Sequence, residues 1–312
     1  MIQLVILPIL QIVVIAGLSP LVKGFINKTE ARFQCRRGPG LFQPYYNLMK
    51  LLRKDAVVSE TASWIFTATP YVAFISVLII ALLVPVLSST VPANFTGDII
   101  LVIYLFALGR FFLALSSLDT GSAFGGMGGS REMTISSMAE PAMMLSVFTV
   151  AIIGGSTNLS NITQAMLHYK SLSPSLMLAL AALAIVIIAE AGRIPIDNPF
   201  THLELTMIHE GMILEFSGRY LALIEWASSM KLLILLTILV NTFLPWGVAS
   251  GFTFQALIIS FAFYIVKIGF FAFLIAVVES SLAKVRLFRI PNLLGTSFIL
   301  AALAIITHYI VS

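Results

Sequence analysis

Charged side chains crowd into one stretch of this sequence: Glu190, Arg193, Asp197, Glu204, Glu210, Glu215, Arg219 and Glu225 all fall between residues 190 and 225. They include six of the chain's fourteen acids. Carboxylates and guanidinium groups so spaced can pair, hold a docked partner or pass protons, because a carboxyl group withdrawn from water exchanges protons closer to neutral pH. Arg110, Glu140, Lys231, Lys267 and Glu279 add ionisable groups inside or at the ends of long apolar runs. A lone charge at mid-bilayer costs about 2.5–3.5 kcal/mol on insertion scales, so such a set implies mutual pairing or a hydrated path. A proton relay is the functional expectation. The plainer alternative is that Glu190, Glu225 and Glu279 simply reach the membrane interface. Glu140, well inside its apolar run and followed by Pro141, fits that alternative least.

The run His202-Leu-Glu204-Leu-Thr-Met-Ile-His209-Glu210 contains good metal ligands, but its histidines are seven residues apart. On a helix that is about 10 Å along the axis, too far for one zinc without a turn. Contact with a partner subunit or a proton entry point is the expected role. No Ser-His-Asp order and no nucleotide fingerprint supports independent hydrolase or dehydrogenase chemistry.

The elements that must position these groups follow from composition. The chain has 312 residues, of which 59% are hydrophobic and 10% charged, and its mean hydropathy is +1.02. A soluble core could not hide that much apolar surface, so lipid is the solvent for most of it. Apolar runs near 20 residues without alternation favour helices over a barrel. The single cysteine, Cys35, excludes an internal disulfide and any thiolate-held zinc or iron–sulfur centre built by this chain alone. Met1 to Pro20 lacks a basic flank and a small-residue cleavage site, and is expected to be a retained first span.

Eight apolar segments stand at roughly 2–22, 67–88, 99–117, 133–153, 176–191, 220–241, 255–278 and 293–310. The expected fold is an all-α integral membrane protein, one polytopic domain over 1–312 with eight transmembrane helices. The fifth segment is expected to continue past Glu190 until Pro195 interrupts it. Eight of the eighteen Lys and Arg residues lie between the first two spans: Lys23, Lys28, Arg32, Arg36, Arg37, Lys50, Arg53 and Lys54. Arg131, Arg193, Arg219, Lys284, Arg286 and Arg289 occupy alternate later connections, and only Lys170 falls on the other side. By the positive-inside rule the connections near 23–66, 118–132, 192–219 and 279–292 are cytoplasmic and both termini are not. The net charge of +4 is thus a topology signal rather than a sign of nucleic-acid binding.

Within the first connection, Arg36-Arg37-Gly38-Pro39-Gly40 forces a turn. After it Leu41, Tyr45, Leu48, Met49 and Leu52 recur at helical spacing beside Lys50, Arg53 and Lys54, which predicts an amphipathic helix on the membrane surface. Gly125-Gly126-Met127-Gly128-Gly129-Ser130 lacks the following Lys-Ser/Thr of a phosphate cradle and is expected to be a flexible or close-packed turn.

These motifs together resemble a known family. Gln34-Cys35-Arg36-Arg37-Gly38-Pro39-Gly40 with Gln43 and Lys50 looks like the first cytoplasmic loop of the complex I subunit 1 family of NADH-quinone oxidoreductases. Glu190-x-x-Arg193-x-Pro195-x-Asp197 matches that family's signature, and Leu214-Glu215-Phe216-Ser217-Gly218 with Glu225 continues it. Leu118-Asp119-Thr120-Gly121-Ser122, Gly129-Ser130-Arg131-Glu132 and Glu140-Pro141 are similar to the branch in group 4 [NiFe]-hydrogenases and formate hydrogenlyase.

The resemblance covers essentially the whole chain and implies a subunit of an inner-membrane oxidoreductase complex, not a stand-alone enzyme. Such a subunit docks a peripheral arm of hydrogenase-like large and small subunits and an iron–sulfur subunit, and neighbours antiporter-like membrane subunits. It binds no cofactor or metal itself: [4Fe-4S] clusters and a [NiFe] centre belong to partners, with a quinone conceivable at the subunit interface. The motif match assigns Glu140, Glu190, Asp197, Glu215, Glu225 and, more weakly, Glu279 to a proton path. It assigns Arg36, Arg37, Arg131 and Arg193 to docking or charge pairing. Three other readings compete: a quinone-site subunit, a passive membrane anchor, and a self-contained transporter. The last is disfavoured because no internal repeat with paired broken helices is evident.

Overall fold

The computed structural model describes residues 2–89, 98–169, 173–197, 207–249, 254–283 and 285–311. Among these, eleven helices follow in order: α1 (Ile2–Phe33), α2 (Gln43–Leu52), α3 (Trp64–Leu83), α4 (Ile99–Asp119), α5 (Ala123–Gly154), α6 (Leu159–His168), α7 (Pro174–Glu190), α8 (His209–Ile213), α9 (Gly218–Phe243), α10 (Phe254–Ser281) and α11 (Ile290–Val311). A 3-10 turn, Leu287–Arg289, precedes α11. No strand is found among the described residues, only isolated bridges Ser88–Ala249 and Asp98–Asn158. Among the described residues, seven helices are long and apolar enough to cross a membrane. Helix α7 is equally apolar but has 17 residues, about 25 Å, short of the roughly 30 Å of a bilayer's hydrocarbon.

Helix starts follow local chemistry. Ser63, Asp98, Ser122, Asn158 and Ser173 each accept a backbone N–H of the turn they precede, and Pro174 supplies the first residue of α7. The end of α7 is equally specified. Gly192 takes φ +58°, and the amides of Gly192 and Arg193 bond back to Ala189 and Ile188. This left-handed glycine closure leaves no helix for Pro195 to interrupt, so α7 stops at Glu190 rather than running on.

Two further expectations are corrected. Residues 23–33 continue α1 instead of joining the first connection. The glycine-rich run at 125–130 is not a turn but part of the 32-residue α5. Each glycine weakens a helix by about 1 kcal/mol relative to alanine, yet here it permits contact. A Cβ on Gly128 would lie 2.8 Å from the Ile208 carbonyl oxygen and 3.2 Å from the Met212 amide, so only glycine lets α5 meet the segment entering α8. Helix α6 has no counterpart among the apolar segments; its ten residues are too short to stand out as a span.

Helix α9 is the axis of the bundle: 72% of its apolar window is buried, against 22% for the segment containing α11. It packs on α1, α3 and α7, while α4 packs on α3 and α5, α5 closes against α7, and α11 lies against α5 and α7. A small satellite core of Phe66, Leu113, Met212, Ile213, Phe216 and Ile224 fixes the segment 207–217. Its centre is the stack of Phe66 on Phe216, with ring centroids 4.1 Å apart and 4° between planes. The Ser217 hydroxyl exchanges hydrogen bonds with Val57, accepting at 2.8 Å and donating at 3.1 Å, so the first basic connection is tied to the acidic one. We call this end of the bundle the basic face.

Candidate functional site

Four helices bring their charges to one point beneath the basic face. Arg110, the twelfth residue of α4, lies about 14 Å from that helix's end at Asp119, and its side chain is 4% exposed. It donates to Glu140 of α5 at 2.9 Å and to Glu190 at the end of α7 at 2.7 Å. Its Nε faces Glu132 of α5 at 3.9 Å. Lys231 of α9 reaches the same Glu190 oxygen at 2.8 Å. Three carboxylates thus surround two cations, and the fully ionised cluster carries one surplus negative charge. Such a group can take up one proton and become neutral as a whole, so the proton belongs to the cluster rather than to one acid.

Beside the cluster is a cavity of about 70 Å³, lined by Arg110, Glu132, Glu190, His209 and Lys231 among apolar neighbours. A second, of about 220 Å³, lies toward the basic face and is lined by Lys23, Glu30, Arg193, Asp197, Glu210 and Glu279, with His209 again on its wall. A third, of about 140 Å³, shares Lys23, Asn27 and Ser229 with the second and extends to Gln43 of α2 and Glu225 of α9. Each can hold water, since its lining offers polar partners. Carboxylates and cations therefore follow one another from the base of α2 to the middle of α4.

The residues expected from sequence divide between these places. Glu140 and Glu190 enter the central cluster. Glu279 is buried and bonds Arg193 at 3.2 Å across the second cavity. Glu225 pairs with Lys23 at 3.8 Å beside the third, not with Arg110. Asp197 accepts the backbone N–H groups of Ile208 and His209 at 3.2 and 2.9 Å, so it orients the start of α8. Arg131 donates to the Met207 carbonyl at 3.0 Å and holds the same segment from α5. Glu215, Arg36 and Arg37 are exposed and not brought to the cluster. His202 and Glu204 lie outside the described residues.

Glu132 and Glu30 are site residues that the sequence does not mark as such, and Arg110 and Lys231 are legible there only as ionisable groups within apolar runs. Arg110 and Lys231 carry a readable signal, being cations within apolar helices. Glu132 is read only as the end of the Gly129-Ser130-Arg131-Glu132 motif and not as a buried acid, because its apolar segment begins after it. His209 reads only as part of its polar run, yet the residue is half-buried. Burial, the largest influence, holds its imidazole below the usual value; Glu210 and Asp197 oppose this, and Lys231 and Lys23 add to it. Among the described residues no group of three His, Cys, Asp or Glu side chains could hold a metal ion.

Fold and site define a class: a polytopic helical membrane protein with a buried ion-pair cluster joined by cavities to one face. Residues 5–310 match the family described as NADH dehydrogenase, and the chain belongs to that family. It is 38% identical over 304 residues to "Formate hydrogenlyase subunit 4" of Escherichia coli (strain K12), covering 97% of this chain and 98% of that protein. It is 36% identical to "Hydrogenase-4 component C" of the same organism, over 96% and 95% of the two chains. An NADH-quinone oxidoreductase subunit of Rickettsia prowazekii (strain Madrid E) is 27% identical over 90% and 86%. In fold, the chain matches one in the structure of the membrane-bound sulfane sulfur reductase, an archaeal respiratory membrane complex. The TM-score is 0.85 with 20% identity, covering 97% and 99% of the two chains.

Proposed function

We propose that this chain is the membrane-anchoring and proton-coupling subunit of a complex-I-like group 4 hydrogenase of the formate hydrogenlyase type. The observation that carries the reading is Glu190, ion-paired at once to Arg110 and Lys231 beside cavities that lead to the basic face. Seven long helices and the shorter α7 make eight spans, with the basic face toward the cytoplasm by the positive-inside rule. Helix α2, with Tyr46, Met49 and Leu52 and the preceding Phe42 exposed beside Lys50, Arg53 and Lys54, lies at the membrane surface. A peripheral arm carrying iron–sulfur clusters and a [NiFe] centre docks on that face, and antiporter-like subunits lie beyond it in the membrane. One cysteine cannot hold a cluster, so this chain contributes charge and proton paths, not electron carriers.

In this role, a redox change in the docked arm shifts the charge or position of the segment 193–219. Asp197 and Arg131 both grip that segment's backbone at Met207–His209, so movement there alters what faces Glu190 and Glu132. The surplus charge of the cluster then takes up or releases a proton. The test is Glu140→Gln in the intact complex reconstituted in vesicles. The coupling role predicts that partner subunits still co-purify and electron donor is still consumed while acidification is lost. A passive anchor predicts either failed assembly or no effect. Unchanged acidification with normal turnover would sink the coupling role.

A further inference from the structure

We infer that His209 is the proton relay between the basic-face cavity and the buried ion-pair cluster, a step that rests on the coupling role above. The two cavities meet at a wall formed by three residues, Ala191, His209 and Ser228. Of these only the imidazole can bind a proton near neutral pH. Its position is fixed from several sides. Its backbone N–H donates to Asp197 at 2.9 Å, and it sits over Gly192, where an added Cβ would lie 3.5 Å from the His209 Cβ.

The charges around it are arranged in series. Glu210 and Asp197 flank it on its own segment, Lys23 stands on α1 and Lys231 on α9. Across the outer cavity are Glu30, Arg193 and Glu279, and across the inner one Arg110, Glu132 and Glu190. A neutral imidazole carries one N–H and one bare ring nitrogen. It accepts a proton at the bare nitrogen from the outer side and releases the other nitrogen's proton inward. One proton enters as one leaves, and exchange of tautomers resets the ring. Burial keeps the resting ring neutral at pH 7, and acidification through its lowered pKa fills the acceptor nitrogen and stops the relay.

The test uses the intact complex in vesicles, with His209→Gln, which keeps size and hydrogen bonding but binds no proton. The relay predicts that proton translocation falls about a hundredfold while partner subunits remain bound, and that the acid limb of its pH profile disappears. His209→Ala is expected to regain translocation when imidazole is added, which a structural role would not give. Should the variants fail to assemble, redox-difference infrared spectra of the wild-type complex with and without ¹⁵N-histidine decide: an isotope-sensitive imidazole band marking tautomer exchange supports the relay and its absence overturns it. Wild-type translocation and an unshifted pH profile in His209→Gln would overturn the relay alone if Glu190→Gln still abolishes translocation. If both variants translocate normally, the coupling role falls as well.

Discussion

The two ends of this bundle solve the same problem, polar groups inside apolar helices, in different ways. Toward the basic face the groups are ionic: Arg110, Glu132, Glu140, Glu190 and Lys231 share contacts across four helices, and Arg193–Glu279 and Lys23–Glu225 lie above them. At the opposite end they are mostly neutral and closed. Asn241 donates to the Pro85 and Val86 carbonyls at 2.7 and 3.1 Å, Ser260 to Leu87 at 2.6 Å, and Thr237 meets Tyr264 at 2.7 Å. Lys267, a cation at that end, donates to the Leu244 carbonyl at 3.1 Å. Neutral hydrogen bonds fasten helices at modest cost, whereas buried ion pairs repay their desolvation only with good geometry. A stability role therefore accounts for the far end, and the ionic end requires a further use, which proton transfer supplies.

Substitutions can break this contrast. The largest effect is expected for Arg110→Leu, which strands three carboxylates beside Lys231 alone. Removing one partner of a buried ionic network costs about 3–5 kcal/mol, so thermal denaturation of the purified complex should begin well below wild type. Adding Glu190→Gln should recover part of the loss. Next is Gly128→Ala, whose Cβ would press on the Ile208 carbonyl. Overpacking of this kind costs about 1–3 kcal/mol, and displacement of the segment at 207–212 should lower proton translocation along with stability.

Asn241→Leu tests the other end. It leaves two buried carbonyls unbonded, a penalty of about 1–3 kcal/mol, yet the protons moved per electron should stay at the wild-type value. A changed ratio would dissolve the distinction between the two ends. The smallest effect is expected for Glu215→Gln. The side chain is exposed, so stability should change by less than about 0.5 kcal/mol, with translocation unaltered; a clear loss of translocation would return Glu215 to the path.

Particular residues show what can be read from sequence. Each of the eight apolar segments lies largely in a helix, because a 20-residue apolar run has few alternatives in lipid. Glu190, Arg193 and Asp197 stand out by their pattern, but Asp197's hydrogen bonds to the Ile208 and His209 amides are contacts that spacing does not reveal. Glu132 is legible as a motif residue but not as a buried acid, because glycines argue against a helix before it, and packing against 207–212 overrides that propensity. Glu30 falls to a connection in the sequence because α1 runs farther than its apolar part. The pairing of Glu225 with Lys23 rather than with the central arginine is a matter of which face of α9 looks toward α1, and helical periodicity alone leaves the partner open.

The most direct test of the central claim is the number of protons moved per electron pair by the intact complex in vesicles when Glu190 is replaced by Gln. Glutamine keeps the shape and accepts hydrogen bonds from Arg110 and Lys231, but cannot carry a proton. The account predicts an assembled complex that still transfers electrons and builds no proton gradient. A gradient at the wild-type ratio would contradict it.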